Sequence, residues 1–147
     1  MSEFTTLALP DITVRAVVRG AGPLVVMVHG FPESWYSWRH QIVPIAEAGF
    51  TACAIDVRGY GGSDKPFPVE AYAMERMIAD VVGVVEAMSL DGRAILVGHD
   101  WGAPIVWNTA LVRPDRCLAC CAGPARPADP YRIDRYRSSS HWVTCTR

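Results

Sequence analysis

Hydrophobic and polar positions along the chain fall into short blocks of two kinds. Ile12 to Arg19 partly alternates and stops at Gly20-Ala21-Gly22-Pro23, which predicts a strand and a turn, with Phe4 to Leu9 as its edge-hairpin partner. Leu24 to Val28 is continuous and rich in Val, the pattern of a strand buried on both faces of a parallel sheet. Trp35, Trp38, Ile42 and Ile45 recur at helical spacing, and Pro44, which has no backbone donor, predicts a division into two short helices. Thr51 to Asp56 reads as a third strand, and a glycine-rich loop follows from Arg58 to Pro68. The strongest helical period comes next, from Glu70 onward: Met74, Met77, Ile78, Val81, Val82, Val85 and Met88 share one face. Ser89 to Gly92 then turns the chain into the apolar run Ala94 to Val97, and a helix-like run begins after Gly102. Strand and helix alternate with short connections, which predicts an α/β domain of three layers around a mostly parallel sheet.

Composition adds a boundary to this picture. The 147 residues suffice for one domain with a buried core, and half of them are hydrophobic. A net charge of −1 gives no reason to expect nucleic acid or an anionic membrane as partner. The start, MSEFTTLALPD, lacks the order of a signal peptide and no run reaches membrane-spanning length, so the expected location is cytoplasmic. Residues 1–116 hold nine basic and thirteen acidic residues with one cysteine, Cys53, whereas 117–147 hold five Arg, two Asp and the other four cysteines. Pro124 to Ser140 shows no apolar period. The expectation is a core domain over 1–116 and an atypical tail, aberrant or disordered, over 117–147.

The stretch with chemistry is Gly98-His99-Asp100-Trp101-Gly102, between a strand and a helix. A turn that sharp holds its central residue in a strained conformation, needs small residues two positions either side, and pushes the apex side chain into the open. Serine is the usual apex residue of such an elbow; here it is Asp100. A carboxylate is already ionised near neutrality, with an unperturbed pKa of about 3.9. It needs no base to attack a saturated carbon carrying a strained or good leaving group, and an alkyl ester results. Hydrolysing that ester puts negative charge on the Asp100 carbonyl itself, so the oxyanion donors must lie beside the nucleophile. The backbone N–H groups of Trp101, at a helix N-terminus, and of Phe31, after the neighbouring buried strand, are the candidates. Asp100 also suits a plain helix N-cap, with Pro104 in the first turn. The strand ending in His29-Gly30-Phe31-Pro32, upstream of the elbow in the order an oxyanion hole requires, weighs against that simpler reading.

Three motifs, HGFPESWYSWRHQ (His29 to Gln41), DVRGYGGSDKP (Asp56 to Pro66) and VGHDWGAPIVW (Val97 to Trp107), resemble the epoxide hydrolases of the α/β-hydrolase superfamily, from about residue 10 to Arg116. The resemblance implies an α/β-hydrolase fold, cofactor- and metal-free hydrolysis of a small-molecule epoxide to a diol through an ester on Asp100, oxyanion donors at Phe31 and Trp101, and a cis Phe31–Pro32 bond. Haloalkane dehalogenases, the alternative within enzymes, usually carry asparagine at the position of Phe31, and fluoroacetate dehalogenases arginine at that of Trp101; both departures favour an epoxide. A non-catalytic α/β fragment serving as a binding module is the rival from another class.

The family also implies a histidine that activates water, an acid that orients it, and lid tyrosines that protonate the opening epoxide, all well beyond the elbow. Tyr131, Asp134, Tyr136 and His141 have the right types but lie in sequence outside the resemblance and take no role from it. The expectation is therefore the N-terminal part of such an enzyme, truncated before the lid and later strands and inactive as a catalyst. Among other candidates, His99 reads as a packing and hydrogen-bonding residue, His29 as one that orders the oxyanion loop and His40 as a surface position. Gly59, Gly61 and Gly62 match no phosphate-loop pattern and read as a structural turn. Trp35, Tyr36 and Trp38 read as core and pocket wall. Cys117, Cys120 and Cys121 with His141 and Cys145 lack the paired spacing of a zinc site, and Cys53 reads as a small core residue.

Overall fold

Seven strands form one sheet in the computed structural model, which describes residues 3–123 and 143–145. They are β1 (Glu3–Ala8), β2 (Thr13–Arg19), β3 (Leu24–Val28), β4 (Thr51–Ile55), β5 (Ala94–His99), β6 (Cys117–Gly123) and β7 (Val143–Cys145), in the order β1-β2-β4-β3-β5-β6-β7. The centre, β4-β3-β5-β6, is parallel; β1 and β2 flank it antiparallel on one side and β7 on the other. Every residue of β3 is buried, as its unbroken apolar run requires of a central parallel strand.

Helices cover both faces. α1 (Arg39–Glu47) lies on one side, where Trp38 and Ile42 pack with Val17, Val25, Met27, Ala52 and Ala54. α2 (Met74–Met88) and α3 (Gly102–Val112) lie on the other. Val81, Val84 and Val85 of α2 and Ile105 and Val106 of α3 join the larger core with Val26, Val28, Ile55 and Leu96. α3 buries Gly102, Ile105, Val106 and Thr109 on one stripe, and the Thr109 hydroxyl donates to the Ile105 carbonyl at 2.8 Å, so it enters the core satisfied.

Two local readings change. Pro44 does not divide its segment: a 3₁₀ turn, Trp35–Trp38, runs into α1, and the proline sits inside that helix on the exposed side. Its missing N–H forfeits only the bond to the carbonyl of His40, itself an exposed residue. The change of composition at residue 116 is not a break in the sheet either. Residues 117–123, assigned by composition to the tail, form β6, paired parallel to β5 from Ala94↔Cys117 to His99↔Gly123. CLACCAG contains no β-branched residue, so its strand character comes from pairing with β5 rather than from propensity.

Candidate active site

Asp100 sits at the turn between β5 and α3 with φ +51°, the only non-glycine residue of positive φ among the described residues. Sequence dictates this strain. A Cβ on Gly98 would collide with the Gly102 carbonyl, and one on Gly102 with the Val28 carbonyl, so only glycine at both lets β5, α3 and β3 come this close. The carboxylate is driven out toward the loop after β3, where the Phe31–Pro32 bond is cis.

There the Phe31 N–H donates to Asp100 Oδ1 at 2.8 Å, across 69 positions of sequence. This donor, with the Trp101 N–H and the field of His99, holds the Asp100 carboxyl below its ordinary range, against a smaller opposing push from burial. The Phe31 N–H, one of the two expected donors, thus reaches the Asp100 carboxylate.

Three side chains invisible as a group in the sequence fix the loop that carries Phe31. Glu33 Oε2 accepts from the Gly30 N–H at 3.2 Å and lies 2.9 Å from His99 Nε2, so one carboxylate joins the loop after β3 to the residue before Asp100. His29 is buried beneath it: Nε2 accepts from the Val57 N–H at 3.0 Å, which leaves Nδ1 to donate to the Gly30 carbonyl at 2.8 Å. Burial pushes its pKa down, in keeping with this neutral tautomer. Asp56, buried at the end of β4, accepts from Trp35 N–H (2.9 Å), Gly62 N–H (2.9 Å) and Arg15 Nε (2.7 Å). It ties the 3₁₀ turn, the glycine-rich loop and β2 to one carboxylate, and the glycines of that loop serve a turn packed on Asp56.

Beside the elbow lies an open cleft of about 360 Å³ lined by His29, Gly30, Phe31, Val57, Gly59, Tyr60, Tyr72, Met77, Trp101 and Ile105. Its mouth is aromatic: Phe31 is 57% and Trp101 62% exposed, their rings 6.0 Å apart, and Tyr60 meets Phe31 edge-on at 6.4 Å. Tyr72 is fixed in the wall by a hydrogen bond from its hydroxyl to the Pro66 carbonyl at 2.8 Å. The tryptophans divide. Trp38 is in the core, whereas Trp35 stacks edge-on against Phe4 and Tyr36, outside the cleft.

Among the described residues no cluster of three His, Cys, Asp or Glu side chains could hold a metal, and no helix is long and apolar enough to cross a membrane. Cys53 is fully buried and its thiol is pushed up to about 12. Tyr131, Asp134, Tyr136 and His141 lie outside the described residues.

Comparison with known proteins gives the family and the relatives of the chain. The family model for the alpha/beta hydrolase fold matches residues 23–137. The chain is 55% identical over 96 residues to Epoxide hydrolase B of Mycobacterium tuberculosis, covering 65% of this chain and 27% of that protein. It is 41% identical over 132 residues to Bifunctional epoxide hydrolase 2 of Sus scrofa, covering 88% and 24%. The solved structure of an epoxide hydrolase from an endophytic Streptomyces superposes with a TM-score of 0.80 at 50% identity, over 82% of this chain and 36% of that one. The chain spans about a quarter of the length of the two curated relatives.

Proposed function

The chain belongs to the α/β hydrolase fold family, and we propose that its elbow is that of an epoxide hydrolase, opening small epoxides through an ester on Asp100 whose release as a diol is slow in this chain, where no water-activating histidine is assigned. The observation that carries this reading is the 2.8 Å bond from the Phe31 N–H to Asp100 Oδ1. With Oδ1 held, Oδ2 attacks the less hindered ring carbon. The carbon–oxygen bond of the ring breaks, and the released alkoxide takes a proton from water. Oδ1 becomes the carbonyl oxygen of the new ester without moving from its donor. When the hydroxide left by that proton transfer attacks the carbonyl, the negative charge develops on Oδ1, beside Phe31 N–H and the helix N-terminus at Trp101; the ester bond then breaks, and the proton on the new carboxyl passes to the departing alkoxide to give the diol.

The depressed pKa of Asp100 supports a nucleophile ionised across the physiological range. The reading needs no metal or cofactor. Mass spectrometry of acid-quenched protein after exposure to a terminal epoxide is the test. A gain equal to the mass of the epoxide, mapped to Asp100 and absent in Asp100→Asn, is the expected result. Folded protein that gains no mass on Asp100 refutes it, and halide release from a haloalkane in place of diol formation assigns the elbow to dehalogenation.

A further inference from the structure

The cleft beside Asp100 has a second space behind it. A void of about 10 Å³, near the least that holds one water, is lined by Val57, Arg58, Met77, Asp80 and Ile105 among others. Val57, Met77 and Ile105 line both spaces, so these three side chains form the partition between them. Two of the three are stiff: Val57 and Ile105 are β-branched and buried in the main core. Met77, in the first turn of α2, is unbranched and only partly buried, and its side chain turns about three bonds. Beyond the partition the Arg58 guanidinium grips the Asp80 carboxylate bidentately, Nε to Oδ2 at 2.7 Å and Nη2 to Oδ1 at 2.6 Å, while Nη1 donates to the Ala71 carbonyl at 2.7 Å. The pair is saturated by these bonds and has little to offer a ligand.

We propose that Met77 is a specificity-determining residue: it closes the inner end of the cleft and limits the length of the uncharged, apolar substituent that an epoxide can carry to Asp100. The proposal rests on the reading of Asp100 as the nucleophile. Among the described residues no charged side chain lines the cleft, and both ring nitrogens of His29 are engaged. A charged substituent would shed its hydration there with nothing to pair with, and an anionic one would also meet the field of the Asp100 carboxylate. An alkyl or aryl group loses nothing of the kind and fills the space between Tyr60, Tyr72 and Met77. Its reach ends at Met77, which lines both the cleft and the void.

The test compares 1,2-epoxybutane with 1,2-epoxydecane on the full chain, as wild type, Met77→Ala and Met77→Phe, with circular dichroism to establish that each is folded. Labelling of Asp100 is read by mass spectrometry as the ratio of long to short adduct. Met77→Ala should raise that ratio about tenfold and Met77→Phe lower it, since a few methylenes in an apolar pocket discriminate on that order. Either variant suffices if the other does not fold. The matching 1,2-diols, titrated against tryptophan fluorescence, read the same preference without any chemistry. A wild type that is not labelled by either epoxide, yet shows the Met77-dependent diol preference, overturns the nucleophile reading and keeps the role of Met77. Unchanged ratios and unchanged diol preference in the folded variants overturn the role of Met77.

Discussion

Asp100 is held by donors that favour its charged form, and the consequence is measurable. Its carboxyl should titrate below the ordinary value of about 3.9, seen as the pH dependence of its side-chain carbon shift by NMR. A folded-state pKa depressed in this way contributes stability that is present above the unfolded value and is lost as pH falls through the lower, folded one. A midpoint at or above 3.9 would contradict the geometry. Glu33 carries a second expectation. Glu33→Ala removes the acceptor shared by Gly30 N–H and His99, and should cost about 1 kcal/mol in urea denaturation while slowing alkylation of Asp100 on the order of tenfold through a loosened Phe31 donor. Asp100 was legible in the sequence because glycine on both sides of an acid between strand and helix admits few other conformations. Glu33 was not, because its partners are assembled only when β3 and β5 lie side by side.

Periodicity located β3, β4, β5 and α2 to within a residue or a few, since each carries an apolar pattern that its neighbours alone do not satisfy. It failed on β6, whose small and sulfur-containing residues carry no strand signature and whose pairing is tertiary. It also placed the break near Pro44 rather than at the 3₁₀ turn before α1. The glycine-rich loop after β4 shows how elements are joined here. Its shape is imposed by Asp56, which takes two backbone N–H groups and the Arg15 guanidinium from three separate segments. Asp56→Ala would leave those donors without their acceptor and an arginine half-desolvated. A loss of about 3 kcal/mol is expected from chemical denaturation, together with weaker ligand binding in the cleft that Gly59 and Tyr60 help to form.

Taken together, α3 is apolar on more than its buried stripe. Leu111 is 64% and Val112 62% exposed, with Trp107 on the same outer side. An apolar outer face of this kind on a helix is expected to be covered. Leu111→Lys should therefore reduce concentration-dependent association in light scattering while leaving the labelling of Asp100 intact; equal association in both proteins would remove that face from consideration. The α/β class, its layers and its central elbow were readable in order along the chain, because alternating strand and helix leave few arrangements open. The pairing of β3 with β5 reaches further than architecture. Val28 faces Gly98, and from that pair Phe31 lies three residues on and Asp100 two. Strands do not shift by fractions of a residue: a slip of one turns every side chain to the other face, and a slip of two moves the donor about 6.6 Å. The sheet thus works as a notched ruler, with one notch at which the carboxylate meets its donor and none nearby that is almost right.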